Sequence, residues 1–162
     1  MSENNAIMQG GSVAESCVLQ ISDLHKSYGS HPVLEGVSFS IPRGKIVGLL
    51  GPNGCGKSTI MKMISGLLPA DNGSILIDGH LPGLVSKSIV SYLPERTYLN
   101  DWMKVSEVLQ FFSDFYADFD LERAQQMLAD LHLSPNTRLK TMSKGTKEKV
   151  QLILVMSRRA QL

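Results

Sequence analysis

Gly51-Pro52-Asn53-Gly54-Cys55-Gly56-Lys57-Ser58-Thr59 sets three glycines, a lysine and two hydroxyls at a spacing suited to phosphate chemistry. A glycine, four residues and then Gly-Lys-Ser/Thr is the pattern of a loop that wraps phosphate groups with its backbone. A triphosphate carries several negative charges and many acceptor oxygens, so the loop must turn successive N–H groups inward. Gly51, Gly54 and Gly56 remove the Cβ atoms that would obstruct this and permit positive φ. A helix starting near Lys57 adds unpaired N–H groups and a partial positive charge at its N-terminus. Lys57 is placed to reach the β- and γ-phosphates, and Ser58 to offer its hydroxyl to Mg²⁺.

Such a loop works only between a strand and a helix. Lys45 to Leu50 is a short apolar run that predicts a buried parallel strand. Ser58 to Leu68, with Ile60, Met61, Met63, Ile64, Leu67 and Leu68, predicts a buried helix. Upstream, Val18, Leu19 and Ile21 read as β, followed by a turn at Tyr28-Gly29-Ser30. Val37, Phe39 and Ile41 alternate with Ser38 and Ser40, as in a half-buried antiparallel strand. Downstream, Asp71-Asn72-Gly73 and Asp78-Gly79 are turns around a short strand at Ser74 to Ile77, and Ser88 to Leu93 reads as a further strand.

The pattern then becomes helical. Val105, Val108, Leu109, Phe112 and Tyr116 form a stripe, which Phe111 and Phe115 widen. This aromatic content, with Met127, reads as core. Asp120 is an N-cap for a second helix with Leu121, Ala124, Leu128 and Leu131 on one face. Pro135-Asn136 ends it. A third helix starts near Ser143 and is apolar nearly all round through Val150, Leu152, Ile153, Leu154, Val155 and Met156, which predicts burial. Residues 1–16 are polar and unpatterned and read as a mobile tail.

With 162 residues, 43% hydrophobic, 19% charged and a net charge of +1, the chain has the profile of one globular domain. The near-neutral balance argues against general nucleic-acid binding. The basic run Arg138, Lys140, Lys144, Lys147 and Lys149 lacks the interleaved aromatics of a nucleic-acid surface and reads as a solvated face. No apolar stretch is long enough to span a bilayer, and the N-terminus lacks the pattern of a secretory signal. Cys17 and Cys55 make no disulfide framework and read as reduced cytosolic thiols.

Taken in order, these pieces resemble the ATP-binding subunit of an ABC transporter, from about Cys17 to Leu162. Four local matches carry the resemblance. Tyr28, in Lys26-Ser27-Tyr28-Gly29, stands where the family stacks an aromatic on adenine. The phosphate loop follows the family's wording, including Pro52 and Asn53. Tyr92-Leu93-Pro94-Glu95 carries glutamate where the family usually has a glutamine that helps hold Mg²⁺ and the attacking water. The glutamate keeps an oxygen ligand for a hard cation but adds a negative charge near the γ-phosphate, so metal occupancy matters more. The Leu-Pro-Glu wording is similar to that of exporters. Met142-Ser143-Lys144-Gly145-Thr146 occupies the signature motif, usually Leu-Ser-Gly-Gly-Gln; Ser143 and Gly145 match, Lys144 and Thr146 depart.

The resemblance implies an α/β fold: a P-loop NTPase core, an N-terminal antiparallel β subdomain and an inserted α-helical subdomain at about residues 102–142. It implies ATP and Mg²⁺ as ligands, with Ser58 and Glu95 serving the metal. It also implies a second copy of the subunit, whose Ser143 to Thr146 completes each site, and a transmembrane permease that holds the subunit at the cytoplasmic face of the membrane. The family's next elements are a strand ending in Asp-Glu, a loop to the other subunit and a histidine that senses the γ-phosphate. They have no counterpart in these 162 residues, and His25, His31, His80 and His132 stand elsewhere. The expectation is an incomplete ATP-binding domain, lacking its C-terminal part, that hydrolyses ATP little or not at all. Three alternatives stay open: a soluble ATPase of the same superfamily, a non-catalytic nucleotide-binding module, and a small nucleotide kinase.

Overall fold

A computed structural model describes residues 17–95 and 98–162 of the protein. The tail expected over residues 1–16 lies outside the described residues.

Two strands, β1 (Cys17–Tyr28) and β2 (His31–Pro42), form an antiparallel hairpin closed at Tyr28 and His31. A third, β3 (Asn72–Ile77), pairs antiparallel with the other edge of β1, giving the order β2-β1-β3. Val18, Leu19, Ile21 and Leu24 of β1 are buried, with Ile75 and Ile77 of β3. Val37, Phe39 and Ile41 are the half-buried alternation expected of β2. The helix after the phosphate loop, α1 (Lys57–Ile64), adds Ile60, Met63 and Ile64 to the same core.

Gly73 shows how closely β3 must approach β1. It has a φ of +85°, and a Cβ there would lie 2.2 Å from the carbonyl oxygen of Asp23. Only glycine permits that contact. The approach falls at a register shift in the β1–β3 ladder, between Ser22 and His25.

A short helix, α2 (Leu84–Ile89), packs Ile89 against this first core. A second core is built by α3 (Val105–Phe115), α4 (Leu121–Asp130) and α5 (Lys144–Met156), with a 3₁₀ turn at Leu139–Thr141. Val105, Val108, Leu109 and Phe112 of α3 meet Ala124 and Leu128 of α4 and Val150, Ile153 and Leu154 of α5. Local signals start these helices. The Asp120 carboxylate accepts from the Arg123 N–H at 3.0 Å, Glu107 accepts from the Lys104 N–H at 2.8 Å, and Ser143 accepts from the Thr146 N–H at 3.2 Å. Each satisfies a backbone donor that a helix N-terminus leaves open.

Several expectations are corrected. Lys45 to Leu50 forms no strand: no strand among the described residues lies beside it, and Ile46 and Leu50 are exposed. An apolar extended run becomes a strand only when another backbone pairs with it. Ser88 to Leu93 is not a strand either. Ser88 and Ile89 close α2, whose start is held by the Gly83 N–H donating to Ser86 Oγ at 2.7 Å. Val90 to Leu93 continues irregularly, and the Ser91 N–H donates to the carbonyl of Leu162 at 2.8 Å.

The apolar stripes are also narrower than expected. Phe111 and Phe115 stack on each other at 6.1 Å between ring centroids but face outward, Phe115 being 69% exposed. Leu152 and Met156 of α5 are exposed, as are Met61 and Leu67 at the phosphate-loop helix, which ends at Ile64. Whether the edge of a stripe is covered depends on the neighbouring elements, not on the periodicity.

Candidate functional site

The phosphate loop leaves the sheet at the Arg43-Gly44 turn and closes on α1. Gly56 is the helix N-cap residue, in left-handed conformation with φ +92° and ψ +5°. A Cβ there would lie 2.6 Å from Leu34 Cδ2 and 3.2 Å from the Val33 carbonyl oxygen. The glycine thus serves both a backbone angle and a close approach of the loop to β2. Gly51 and Gly54 also have positive φ, and the position a Cβ of Gly54 would take is open space.

Lys57 folds back over its own loop. Its ammonium donates to the carbonyls of Gly51 at 2.8 Å and Pro52 at 2.7 Å, and lies 3.7 Å from Cys55 Sγ. These contacts hold a positive charge against the mouth of the loop. Pro52, Asn53, Gly54 and Cys55 are exposed, and Thr59 is half-buried in the first turn of α1.

Ser58, one residue on, donates its hydroxyl to Glu95 Oε1 at 2.6 Å. The structure therefore brings together two residues 37 positions apart. Two hard oxygen donors side by side, next to a cradle for phosphates, fit Mg²⁺. No group of three His, Cys, Asp or Glu side chains among the described residues could hold a metal by itself. The donor set suits a cation that shares its ligands with a bound phosphate.

Tyr28 ends β1 opposite His31 and is 50% exposed. Val33, two residues beyond His31 and so roughly 7 Å along a strand, touches the Gly56 position. The hairpin tip bearing Tyr28 thus stands beside the phosphate loop.

Ser143, Lys144, Gly145 and Thr146 form the capped start of α5. Ser143 Oγ also bonds Thr146 Oγ1 at 2.8 Å, and Lys144 is exposed, 3.9 Å from Glu148. Gly145 and Glu95 line one cleft of about 400 Å³, with Pro94, Glu148 and Lys149. Among the described residues, no hydrogen bond joins this turn to the chain's own phosphate loop. Within the basic run, Lys147 pairs with Asp101 at 2.5 Å.

Sequence reasoning missed Arg158. Its guanidinium is buried and donates to both Asp118 carboxylate oxygens, at 3.0 and 3.2 Å, and to the carbonyls of Ser88 at 2.7 Å and Val90 at 2.9 Å. It lies 3.9 Å from the centroid of the Tyr116 ring. It borders an apolar groove of about 820 Å³ walled by Leu84, Tyr92, Phe111, Phe115 and Tyr116. No local pattern marks it, since its partners stand 40 to 70 residues away.

A glycine loop at a helix N-terminus, a lysine over its mouth and a serine–carboxylate pair beside it define a phosphate-binding α/β protein. The family profile described as ABC transporter matches residues 34–162, and the chain belongs to that family. It is 37% identical over 141 residues to the SkfA peptide export ATP-binding protein SkfE of Bacillus subtilis, covering 83% of this chain and 59% of that one. It is 54% identical over 126 residues to the ribose import ATP-binding protein RbsA of Oceanobacillus iheyensis, covering 70% of this chain and 25% of that one. A solved structure of an ATP binding subunit of an ABC transporter superposes with a TM-score of 0.77 at 31% identity, covering 85% of this chain and 61% of that one. The chain spans about half the length of curated relatives it matches. Its fold is that of ABC ATP-binding P-loop domains.

Proposed function

We propose that the protein is an ATP-binding subunit of an ABC transporter, in which ATP binding and hydrolysis drive substrate movement through a membrane partner. The observation that carries this reading is the phosphate loop with Lys57 poised over it and Ser58 bonded to Glu95 at 2.6 Å. Tyr28 stacks on the base, Gly51 to Thr59 surround the phosphates, and Ser58 and Glu95 hold Mg²⁺. Bound Mg²⁺ supplies neutralisation of phosphate charge. Lys57 adds a second positive charge, and the N–H groups of the loop and of the first turn of α1 donate to phosphate oxygens.

The signature turn supports a two-copy site. Ser143 to Thr146 opens a helix with an exposed glycine and lysine, yet bonds nothing in its own phosphate loop among the described residues. The N–H groups at the start of this helix, with its partial positive charge, suit the nucleotide of a second subunit. The apolar groove beside Arg158 supports a permease partner, since exposed aromatic surface of this kind marks an interaction site. In this reading the membrane partner is a separate permease, with the subunit at its cytoplasmic face; no described helix is long and apolar enough to cross a membrane. The Leu93-Pro94-Glu95 wording and the peptide-export relative favour an exporter. The match to a ribose-import protein indicates that the shared part is the ATP-handling one.

Isothermal calorimetry with Mg-ATP tests the reading. Binding in the parent protein, lost in Lys57→Ala, is the expected result; equal affinity in both refutes the phosphate-loop assignment. Turnover of Mg-ATP that Lys57→Ala abolishes would exclude a non-catalytic nucleotide-binding role.

A further inference from the structure

Tyr28 is half exposed at a hairpin tip, yet a stacking platform must be held still to be useful. The residue that holds it is distant in sequence. Asp71 accepts from Lys26 Nζ at 2.6 Å through one carboxylate oxygen and from the Ser27 N–H at 2.7 Å through the other. Its own N–H donates to the His25 carbonyl at 3.1 Å. The three residues preceding Tyr28 are thus each bonded to Asp71. The Lys26 side chain is only 11% exposed, and its ammonium lies 6.0 Å from the Tyr28 ring centroid.

The placement of Asp71 follows from the sheet. Gly73 lets β3 press against the carbonyl of Asp23, and the ladder then pairs Asn72 with His25. That register puts the residue before Asn72 opposite Lys26. Asp71 stands 44 residues from Ser27 and at the far end of the segment that begins with the phosphate loop. One carboxylate therefore ties the base platform to the chain that leaves the phosphate-binding helix.

We propose that Asp71, acting with Lys26, is a positioning residue for ATP: it fixes the backbone and the cation beside Tyr28 so that the ring presents one face to the base. The ammonium occupies the neighbourhood of the ring and the base takes the open side. Asp71 does not touch nucleotide. Lys26 and the Ser27 N–H hold its carboxyl below the ordinary carboxylate range, as a bonded carboxylate requires. This inference rests on the reading of Tyr28 as the stacking residue.

Calorimetry on the purified protein separates the two. The ligands are Mg-ATP and Mg-tripolyphosphate, which has the phosphates but no base. Tyr28→Ala weakens ATP by roughly 5- to 150-fold, the range for loss of one stacked base. Asp71→Ala is expected to weaken ATP by about 3- to 10-fold, as for a lost hydrogen bond, and to leave tripolyphosphate unchanged. In the Tyr28→Ala background, Asp71→Ala adds nothing further. If Tyr28→Ala weakens ATP while Asp71→Ala does not, the positioning role is overturned. Equal weakening of ATP and tripolyphosphate by Asp71→Ala also overturns it, since a general structural role moves both. If Tyr28→Ala leaves ATP affinity intact, the stacking assignment itself fails and the inference falls with it. Should Asp71→Ala fold poorly, Asp71→Asn, which keeps an acceptor and drops the charge, carries the same comparison.

Discussion

Ser58 and Glu95 meet at 2.6 Å. In the proposed site the Glu95 carboxylate would stand beside the γ-phosphate and repel nucleotide until a divalent cation sits between them. At about 4 Å in a solvated setting two unit charges interact by ~1 kcal/mol. Glu95→Gln is therefore expected to tighten metal-free ATP binding on the order of fivefold and to narrow the gap between metal-free and Mg-loaded affinity. Calorimetry with and without chelator measures both, and an unchanged gap counts against the charge argument. Gly56 gives a second residue-scale prediction. Its φ of +92° and the 2.6 Å approach of Leu34 leave no room for a methyl group. Left-handed geometry alone costs a non-glycine residue roughly 1–2 kcal/mol. Gly56→Ala is expected to lower stability by at least about that much in urea unfolding and to weaken ATP binding, because the loop must shift off β2.

At the scale of elements, helix starts carry much of the local order. Asp120 caps α4 through the Arg123 N–H and pairs with Arg159 at 2.9 Å. The backbone bond first, and then the Arg159 guanidinium, hold its carboxyl below the ordinary range. The sign follows from proton linkage: the unfolded chain binds the proton more readily, so the stabilisation is complete above the ordinary carboxylate range. It is lost as pH falls through the depressed folded value. Asp120→Asn is expected to lower the melting temperature near neutral pH and to flatten part of the acid limb of the stability curve. Thermal melts between neutral pH and pH 3 would show whether the two proteins converge at the acid end. Divergence there would reject the cap as the source.

At the scale of the whole molecule, the α5 end, α2 and the loop after α3 meet at one buried cation. Arg158 joins Asp118, the carbonyls of Ser88 and Val90, and the Tyr116 ring. Removing one member of a buried charged network leaves the rest unpaired, at a cost of about 3–5 kcal/mol. Arg158→Ala is expected to show a loss of that size in urea unfolding. It should also perturb the aromatic groove that Arg158 borders, whereas Arg159→Ala, on an exposed side chain, changes stability by under about 1 kcal/mol. Equal effects from the two substitutions would mean that the network is not what joins these elements.

What could be read from the sequence was local. The phosphate loop, the cap at Asp120, the helix start near Ser143 and the buried stripe of α3 depend on residues within a few positions of one another, and hydrogen bonding and periodicity act at that range. The ABC resemblance rested on such segments, and the chain belongs to that family. The misread pieces share one cause. Lys45 to Leu50 has the composition of a strand, but no strand pairs with it among the described residues. Phe111 and Phe115 continue a helical stripe that no neighbour covers. The pairings Lys26–Asp71 and Arg158–Asp118 join residues 45 and 40 positions apart and left no local signal, whereas Ser58–Glu95, 37 apart, was reached through the family resemblance. By itself, then, the sequence determined the kind of loop and its charge, because backbone freedom and side-chain chemistry are properties of the residues. Which carboxylate holds Arg158, which one steadies the segment before Tyr28, and which apolar faces stay open were decided only in the tertiary structure, where chain segments without a common local signal come within hydrogen-bonding distance.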